Sequence, residues 1–394
     1  MSWFKSKNNS KTVALFDIGS GDVAIGIAKV FDDVQIPPLL LYTHRQPIPI
    51  DEELDFDMFI KGMTQALERA SEKIHDAKVG KIDEVRCFLG SPWFASQTRT
   101  IEYQKTIPFT VTKNILDDLV NKEVALFSKT DMLKYASSEK MAMIETVTIN
   151  CKLNGYEVGS PYQKNITTLS IDLFLSMGPE AILDQIRDIV HKHIHVSANA
   201  FRFHTSIFSE YVLLRDLFVH NENYMIVNID GEISDISFIK NNVLYESVSF
   251  PIGKNALIRA IAEGNGGIKS AGSLLAGYIS GHLENTVHNK IEQTLAGVRT
   301  EWLALFSKSL TGLAAHRSLP STVFLITEDQ VTNWFTDAIK REEFSQYMLS
   351  DKRFSVVALS APSINEYCTF KEGVSIHQYD LITHLLYVSR HGNK

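Results

Sequence analysis

The stretch IVNIDGEISD, residues 226–235, is a short apolar strand pattern that runs directly into a polar turn. A strand that ends in a glycine-containing turn lets backbone amides approach a phosphate, because glycine has no Cβ. Two features oppose that role. Asn228 stands where a metal-organising carboxylate is expected, and Asp230 and Glu232 bring negative charge to the turn. The stretch therefore has three interpretations: a working nucleotide loop, a degenerate one, or a surface hairpin.

A related pattern occurs near the N-terminus, in FDIGSGDVAIGIA (16–28). The apolar run that contains Asp17 is followed by Gly19, Ser20 and Gly21, which predicts two strands joined by a tight glycine turn. The amides of such a turn can accept an anion, and Asp17 can hold a magnesium ion through water. A plain glycine hairpin is the alternative interpretation.

The same order of strands, turn and helix begins near residue 12 and again near residue 224, which indicates two similar domains that face a cleft. Apolar runs and three-and-four spacing predict an α/β chain, with strands over 12–18, 23–31, 39–45, 84–91, 167–177 and 321–327 and helices over 56–78, 112–127 and 179–194. Residues 95–165 differ in pattern from their surroundings and are interpreted as an inserted α+β subdomain.

Composition narrows the function classes. A net charge of −7 and a pI near 6.0 exclude a general nucleic-acid binder, which usually carries a basic face. The three cysteines are scattered, so neither a disulfide scaffold nor a zinc site is expected, and a reducing cytoplasm fits. His191, His193 and His195 follow an amphipathic pattern and are interpreted as the cationic end of a helix. No signal peptide or apolar run of bilayer length is present, so no direct membrane span is expected.

These motifs resemble those of the actin-like ATPase superfamily, and within it the FtsA/PilM group of bacterial scaffolds. FDIGSGDVAIGIAKV (16–30) resembles the first phosphate hairpin, and MIVNIDGEISDISFIKNNVLYESVSFPIGKNALIRAIA (225–262) resembles the second hairpin with its following helix. The resemblance implies a two-lobed, ribonuclease H-like duplicated fold. Its expected parts are a basic leader at 1–11, a first domain at 12–94 and 166–222, the inserted partner-binding subdomain at 95–165, and a second domain at 223–394.

The resemblance also implies a nucleotide site, with ATP and magnesium as expected cofactors. The matching positions are Asp17, Gly19, Ser20, Gly21, Asn228, Gly231, Ser234, Asp235 and Gly253, with Asp17 as the magnesium ligand through water. Departures weaken this expectation. Asn228 and Asp230 replace the usual Asp and Gly of the second hairpin, and the adenosine loop after residue 326 carries Glu328 and Asp329 in place of glycines. No residue is assigned as catalytic, and at most a weak ATPase is expected.

The expected function is a cytoplasmic scaffold at the inner face of the membrane. It would bind peptide tails of membrane-associated cell-division or type IV pilus assembly proteins, with self-association into filaments as a further possibility. Two alternatives stay open: a nucleotide-free pseudo-ATPase, and an active ATP-dependent phosphotransferase that would use Asp22 or Asp235 as its base. The segment LITHLLYVSRHGNK (381–394) lacks the linker and terminal membrane helix usual in FtsA, which favours membrane attachment through a partner or no attachment.

Overall fold

The computed structural model describes residues 9–134, 140–263, 266–315, 317–348 and 353–392. Residues 1–8 of the predicted basic leader lie outside this range. The helices are α1 (Phe56–Glu72), α2 (Lys113–Lys134), α3 (Glu180–His193), α4 (Ser206–Leu217), α5 (Asn255–Ala262), α6 (Ile268–Ile279), α7 (Asn285–Leu313), α8 (Thr332–Arg341) and α9 (Tyr379–His391). The strands are β1 (Ser10–Ile18), β2 (Asp22–Phe31), β3 (Leu39–Pro47), β4 (Glu84–Leu89), β5 (Ala95–Thr110), β6 (Met141–Leu153), β7 (Tyr156–Glu157), β8 (Asn165–Pro179), β9 (Phe201–Thr205), β10 (Tyr224–Ile229), β11 (Ser234–Lys240), β12 (Val243–Phe250), β13 (Thr322–Thr327), β14 (Ser355–Leu359) and β15 (Thr369–Phe370).

Two sheets share one topology. The first has the strand order β15-β3-β2-β1-β4-β9, and the second has the order β12-β11-β10-β13-β14. In each sheet an antiparallel meander of three strands leads into parallel strands, because β1 pairs with β2 antiparallel and with β4 parallel, just as β10 pairs with β11 and β13. The predicted duplicated α/β fold with two lobes is therefore confirmed.

Helices α4 and α9 lie in the core between the two sheets. Residues 206–214 of α4 are all buried, and so are Tyr379 and residues 381–389 of α9. Their apolar side chains belong to one cluster with Leu15 of the first sheet and with Ile226 and Phe324 of the second. A helix that is buried on all sides is expected where two lobes share a core.

The inserted region forms a sheet of its own in the order β5-β8-β6-β7, and α2 packs on it. Its central strand β8 pairs with β5 and with β6 along most of its 15 residues. The predicted return to the first domain at residue 166 therefore lies at the start of this strand, whereas the strand itself continues to Pro179. The predicted boundary at residue 166 and the end of the strand at Pro179 differ because β8 is paired on both sides and so belongs to the inserted sheet for most of its length.

The C-terminal end differs from the predicted second domain of 223–394. Strand β15 pairs with Leu39 and Leu40 of the first sheet, and α9 contacts β1, β2 and α4. Helix α9 lies within this returning end of the chain. Its leucines and isoleucine, Leu381, Ile382, Leu385 and Leu386, are buried, and their burial draws the helix between the lobes.

Two smaller predictions concern helix ends and membrane spans. Helix α3 ends at His193, with His191 and His193 in its last turn, so the helix-end interpretation of these histidines is confirmed. In the described ranges, no helix has the length and hydropathy needed to cross a bilayer.

Candidate functional site

The two predicted hairpins have matching turns, which we call the first turn (Gly19–Gly21) and the second turn (Asp230–Glu232). The amide of Gly19 donates to the carbonyl of Asp22 at 3.1 Å, and the amide of Asp230 donates to the carbonyl of Ile233 at 3.0 Å. The strand registers place Asp17 opposite Ala24 and Asn228 opposite Asp235. Gly19 and Asp230 therefore occupy equivalent positions in the two lobes.

The two turns contact each other directly. The carboxylate of Asp230 accepts a hydrogen bond from the Ser20 amide at 2.5 Å and another from the Ser20 hydroxyl at 3.1 Å. The Ser20 hydroxyl in turn accepts from the Glu232 amide at 2.9 Å. Hydrogen bonds to a charged acceptor are stronger than neutral ones, so this contact joins the two lobes at the tips of their hairpins.

Glycine is required where the turns meet. A Cβ on Gly19 would overlap the Asp230 carboxylate, and a Cβ on Gly231 would overlap the backbone of Gly21. Neither glycine has a positive φ, so the requirement is the space between the turns and not backbone conformation.

A buried ion pair anchors the second turn to α5. Glu232 accepts from the two terminal guanidinium nitrogens of Arg259, at 2.6 and 2.7 Å, and from the side-chain amide of Asn255 at 2.8 Å. Arg259 also donates to the carbonyl of Asp51 in the first lobe at 2.8 Å. A bidentate, hydrogen-bonded pair of this kind holds the turn in a fixed orientation.

The N-terminus of α5, where a phosphate would be expected to approach, is capped by protein groups. The amide of Lys254 donates to the carbonyl of Asp230 at 2.9 Å, and the amide of Asn255 donates to the carbonyl of Gly231 at 2.8 Å. A Cβ on Gly253 would overlap these same carbonyls. Two donors of a potential anion site at a helix start are therefore already used.

Between the lobes, behind the turns, lies a cavity of about 330 Å³. Its lining includes residues of both hairpins, of α4 and α9, and of the predicted adenosine loop at 326–330. Carboxylates outnumber permanent cations in this lining: the acids are Asp17, Asp22, Glu210, Asp230, Asp235, Glu328, Asp329 and Asp380, and the bases are Arg45 and Lys254. A cavity of this composition repels polyanions.

Both cations of the cavity are paired with carboxylates. Arg45 contacts Asp22 at 2.5 Å and Asp380 at 3.1 Å, and Lys254 contacts Glu328 at 2.9 Å. A triphosphate would have to displace these carboxylates before it gained either cation.

Asp17 also has protein partners. Its carboxylate lies 3.2 Å from Nε2 of His384 and 3.5 Å from the hydroxyl of Ser206. The other ring nitrogen of His384 lies 2.9 Å from the Ser209 hydroxyl, and the ring stacks on Phe88 with centroids 3.9 Å apart. This Ser–His–Asp order resembles a hydrolase triad. Ser209 is fully buried, however, so its hydroxyl is not placed to attack a substrate.

Asn228 and Asp235 face the cavity from neighbouring strands. The Asn228 side-chain amide donates to Glu210 at 2.6 Å, and burial holds the pKa of Glu210 well above its usual value. Asp235 accepts from the hydroxyls of Ser91 at 2.8 Å and Ser249 at 2.5 Å, while burial raises its pKa to about 6. Burial likewise raises the pKa values of Asp230 and Asp380.

Eight of the nine predicted site residues divide into two groups. Asp17, Gly19, Asn228 and Asp235 line the cavity. Ser20, Gly21, Gly231 and Gly253 form the contact between the hairpins and α5. Ser234 belongs to neither group, because its hydroxyl donates to the carbonyl of Ile252 and accepts from Trp302 inside the second lobe.

Sequence reasoning missed the cavity residues Arg45, Glu210, Lys254, Asp380 and His384. Arg45, Glu210, Asp380 and His384 come from β3, α4 and α9, outside the two hairpin motifs. An ionisable residue within an otherwise apolar helix was the available signal for Glu210 and His384.

The residues present do not fit a magnesium triphosphate. The Ser20 amide of the first turn already donates to the Asp230 carboxylate, and the amides at the start of α5 already donate to backbone carbonyls. Acidic side chains also outnumber basic ones in the cavity. Among the residues that the structure describes, no group of three or more metal-ligating side chains is arranged to hold a metal ion.

No family model matches the chain, and no curated protein matches it. Solved structures do. A structure described as the "PilM-PilN type IV pilus biogenesis complex" superposes with a TM-score of 0.61 at 12% identity, over 96% of this chain and 98% of the other. The chain has an actin-like ATPase fold of the PilM kind.

Two further structures are similar at lower TM-scores. The ethanolamine utilization protein EutJ from Carboxydothermus hydrogenoformans gives 0.41 at 11% identity, over 97% of this chain and 89% of the other. A Bacteroides thetaiotaomicron protein of actin-like ATPase fold and unknown function gives 0.41 at 10% identity, over 98% of both chains. The predicted resemblance to PilM is confirmed at the level of the fold by the PilM-PilN structure.

Proposed function

We propose that the protein is an actin-like scaffold of type IV pilus assembly that binds a peptide tail of a membrane-associated partner and works without ATP turnover. The observation that carries the proposal is the occupied cleft. Protein carboxylates and carbonyls hold the donors that a nucleotide would need, so the closed arrangement of the lobes does not depend on a nucleotide. The PilM-like fold supports the choice of the pilus branch over the cell-division branch.

The junction between the inserted sheet and the first sheet offers a place for a peptide. Among the described strands, β9 pairs only with β4, and β6 has a second neighbour over only two residues, at β7. The two strands contact each other. At the junction, Glu145 of β6 accepts from the Thr205 amide at 3.0 Å. Extended peptides bind readily to such strand edges, with main-chain hydrogen bonds for affinity.

A direct test measures the binding of a labelled peptide by fluorescence anisotropy. The probe is the cytoplasmic tail of the PilN-type protein encoded in the same genome. We expect binding at micromolar concentration, and we expect Met143→Lys, on the exposed face of β6, to weaken it about tenfold. The matched control is Ile107→Lys, which changes an exposed apolar residue of β5 at the opposite edge of the same sheet.

Two outcomes would contradict the proposal. One is an absence of binding at about 100 µM peptide, which corresponds to less than about 6 kcal/mol of binding free energy. The other is equal weakening by Met143→Lys and by Ile107→Lys, which would place the peptide elsewhere or indicate a nonspecific charge effect.

The alternative of an active phosphotransferase has less support. Its candidate bases are both engaged, Asp22 by Arg45 and Asp235 by two serine hydroxyls. Location at the inner face of the membrane follows from the proposed partner. The sequence-based expectation that ATP and magnesium bind through Asp17 is not proposed, because the donors of the cleft are already bound by protein groups. Filament formation stays a prediction.

A further inference from the structure

The geometry points to Asp230 as a built-in anion that occupies the phosphate position of the first turn and so selects against polyphosphate ligands. This inference concerns the cleft itself and is independent of which partner binds the inserted subdomain. It also goes beyond a loss of function, because it assigns Asp230 a positive role in holding the lobes together.

The chemistry of the contact supports this assignment. A phosphate oxygen and a carboxylate oxygen are both anionic acceptors, and both bind backbone amides and hydroxyls at short distances. The Ser20 amide and the Ser20 hydroxyl both point at the same oxygen, Oδ2 of Asp230. The second turn thus supplies, from within the same chain, the anionic oxygen that a nucleotide phosphate would supply as a ligand.

The space around the first turn supports it as well. Within 4 Å of a Cβ built on Gly19, the three nearest atoms all belong to the Asp230 side chain. On Gly21, by contrast, the nearest atoms include the backbone of Gly231 as well as Asp230. The room beside Gly19 is therefore occupied by the carboxylate, whereas the room beside Gly21 is limited by the opposing backbone.

Glu232 has a different role from Asp230, although both acids lie in the same turn. Glu232 points back to Arg259 and Asn255 and anchors the turn to its own lobe. Asp230 points across the cleft to Ser20, and within the part of the chain that the structure describes it forms no ion pair with a basic side chain. The carboxylate that crosses between the lobes is therefore the one that a polyphosphate would have to displace.

The first experiment measures pyrophosphate binding by calorimetry to the wild-type protein and to Asp230→Gly. The substitution removes the carboxylate and puts at this position the glycine found in the FtsA/PilM group. We expect no binding by the wild type at millimolar pyrophosphate and at least tenfold tighter binding by the variant. The matched control, Asp329→Gly, removes an exposed acid of the same cavity and is expected to behave as the wild type.

The second experiment is a double-mutant cycle on thermal unfolding. Gly19→Ala is expected to lower the melting temperature strongly in the wild-type background, because its methyl group overlaps the Asp230 carboxylate. The same substitution is expected to have little effect in the Asp230→Gly background. Gly21→Ala serves as the control, since its methyl group also meets the Gly231 backbone and is therefore expected to remain destabilising in both backgrounds.

Three outcomes would overturn the inference. The first is pyrophosphate binding by the wild type as tight as by Asp230→Gly, and the second is a folded Asp230→Gly protein that binds none. The third is an unchanged melting temperature for Gly19→Ala alone, a measurement that remains decisive even if Asp230→Gly does not fold.

Discussion

The two turns have the same backbone hydrogen bond and opposite chemistry. The first turn presents glycines and the hydroxyl and amide of Ser20, which are donors with little bulk. The second turn, at the equivalent positions, presents Asp230 and Glu232, which are acceptors. In a symmetric pair of phosphate hairpins both turns would donate to a ligand between them. Here the two turns bind each other, because Ser20 donates to Asp230 and the Glu232 amide donates to the Ser20 hydroxyl, so both turns close on protein atoms.

The comparison teaches that a duplicated motif can keep its fold while it exchanges its ligand. The acids of the second turn look unfavourable if each turn is judged alone, because they repel phosphate. Judged together, the turns are complementary, and the lost ligand is replaced by an intramolecular contact. The substitutions that follow test this complementarity at successive points.

The largest effect is expected from Glu232→Ala. The change leaves the Arg259 guanidinium without its carboxylate in a mostly buried position, and breaking a buried pair costs about 3–5 kcal/mol. Urea unfolding measures the change in the free energy of unfolding. The control is Glu246→Ala, which removes the more exposed partner of Arg317 and should cost less than about 1 kcal/mol. Equal costs would mean that the second turn does not depend on its anchor.

A slightly smaller effect is expected from Gly231→Ala, which tests how closely the backbones of the two turns approach each other. The new methyl group would overlap the first turn and force the lobes apart, at a cost of about 2–3 kcal/mol. Thermal unfolding gives the change, with Gly297→Ala as the control. Gly297 lies inside α7 with no atom near its Cβ position, so alanine there should stabilise by about 0.5–1 kcal/mol. A neutral Gly231→Ala would show that the turns are not in contact.

The substitution Asn228→Asp places the family carboxylate back on the second hairpin. We expect it to destabilise by about 1–3 kcal/mol, because it replaces an amide donor with a second acid 2.6 Å from Glu210. The cost should be larger at pH 8 than at pH 5, where one acid of the pair holds a proton. Adding Glu210→Gln should recover most of the loss. Acquisition of ATP hydrolysis by Asn228→Asp alone would contradict the account of the cleft.

The smallest effect concerns the pH dependence that Asp235 contributes. Burial raises its pKa from about 3.8 to about 6, so the folded state holds this proton more tightly than the unfolded state. The contribution to stability is therefore full below pH 4 and is lost as the pH rises through about 6. Relative to the wild type, Asp235→Asn, which keeps the oxygen acceptor for both serines, should be more stable at pH 7.5 than at pH 4. The difference should stay below about 3 kcal/mol, the free-energy equivalent of a pKa that rises from about 3.8 to about 6. Melting curves of the wild type and of Asp235→Asn at both pH values test this, and an identical pH dependence for the two proteins would contradict it.

Much of the fold could be predicted from the sequence because its signals are local. The pattern around Gly19 and its repeat around Gly231 indicated both hairpins, and their similarity indicated the duplication. The return of the chain to the first sheet at β15 could not be predicted, because a two-residue strand has no periodicity and its partners lie more than 300 residues away. The position of α9 between the lobes could not be predicted either, because the sequence around Leu385 does not indicate which lobe covers the helix.

The sequence predicted where the candidate site lies, at the two hairpin turns, but not which groups its side chains bind. Asp230 was identified as a departure from the phosphate motif, yet its role depends on Ser20, which is 210 residues away. A sequence motif records which residue replaces a glycine, but not which donor that residue reaches. His384 and Asp380 were missed for a related reason, because tertiary packing and not a motif brings them to Asp17.

The most direct test of the central claim is calorimetry of magnesium-ATP with the purified wild-type protein, with Asp17→Ala as the comparison. The account predicts no binding heat at millimolar ATP for either protein, because the donors of the cleft are already bound by Asp230 and by backbone carbonyls. Micromolar binding by the wild type that Asp17→Ala abolishes would contradict it, and would mean that the two turns open to receive a nucleotide.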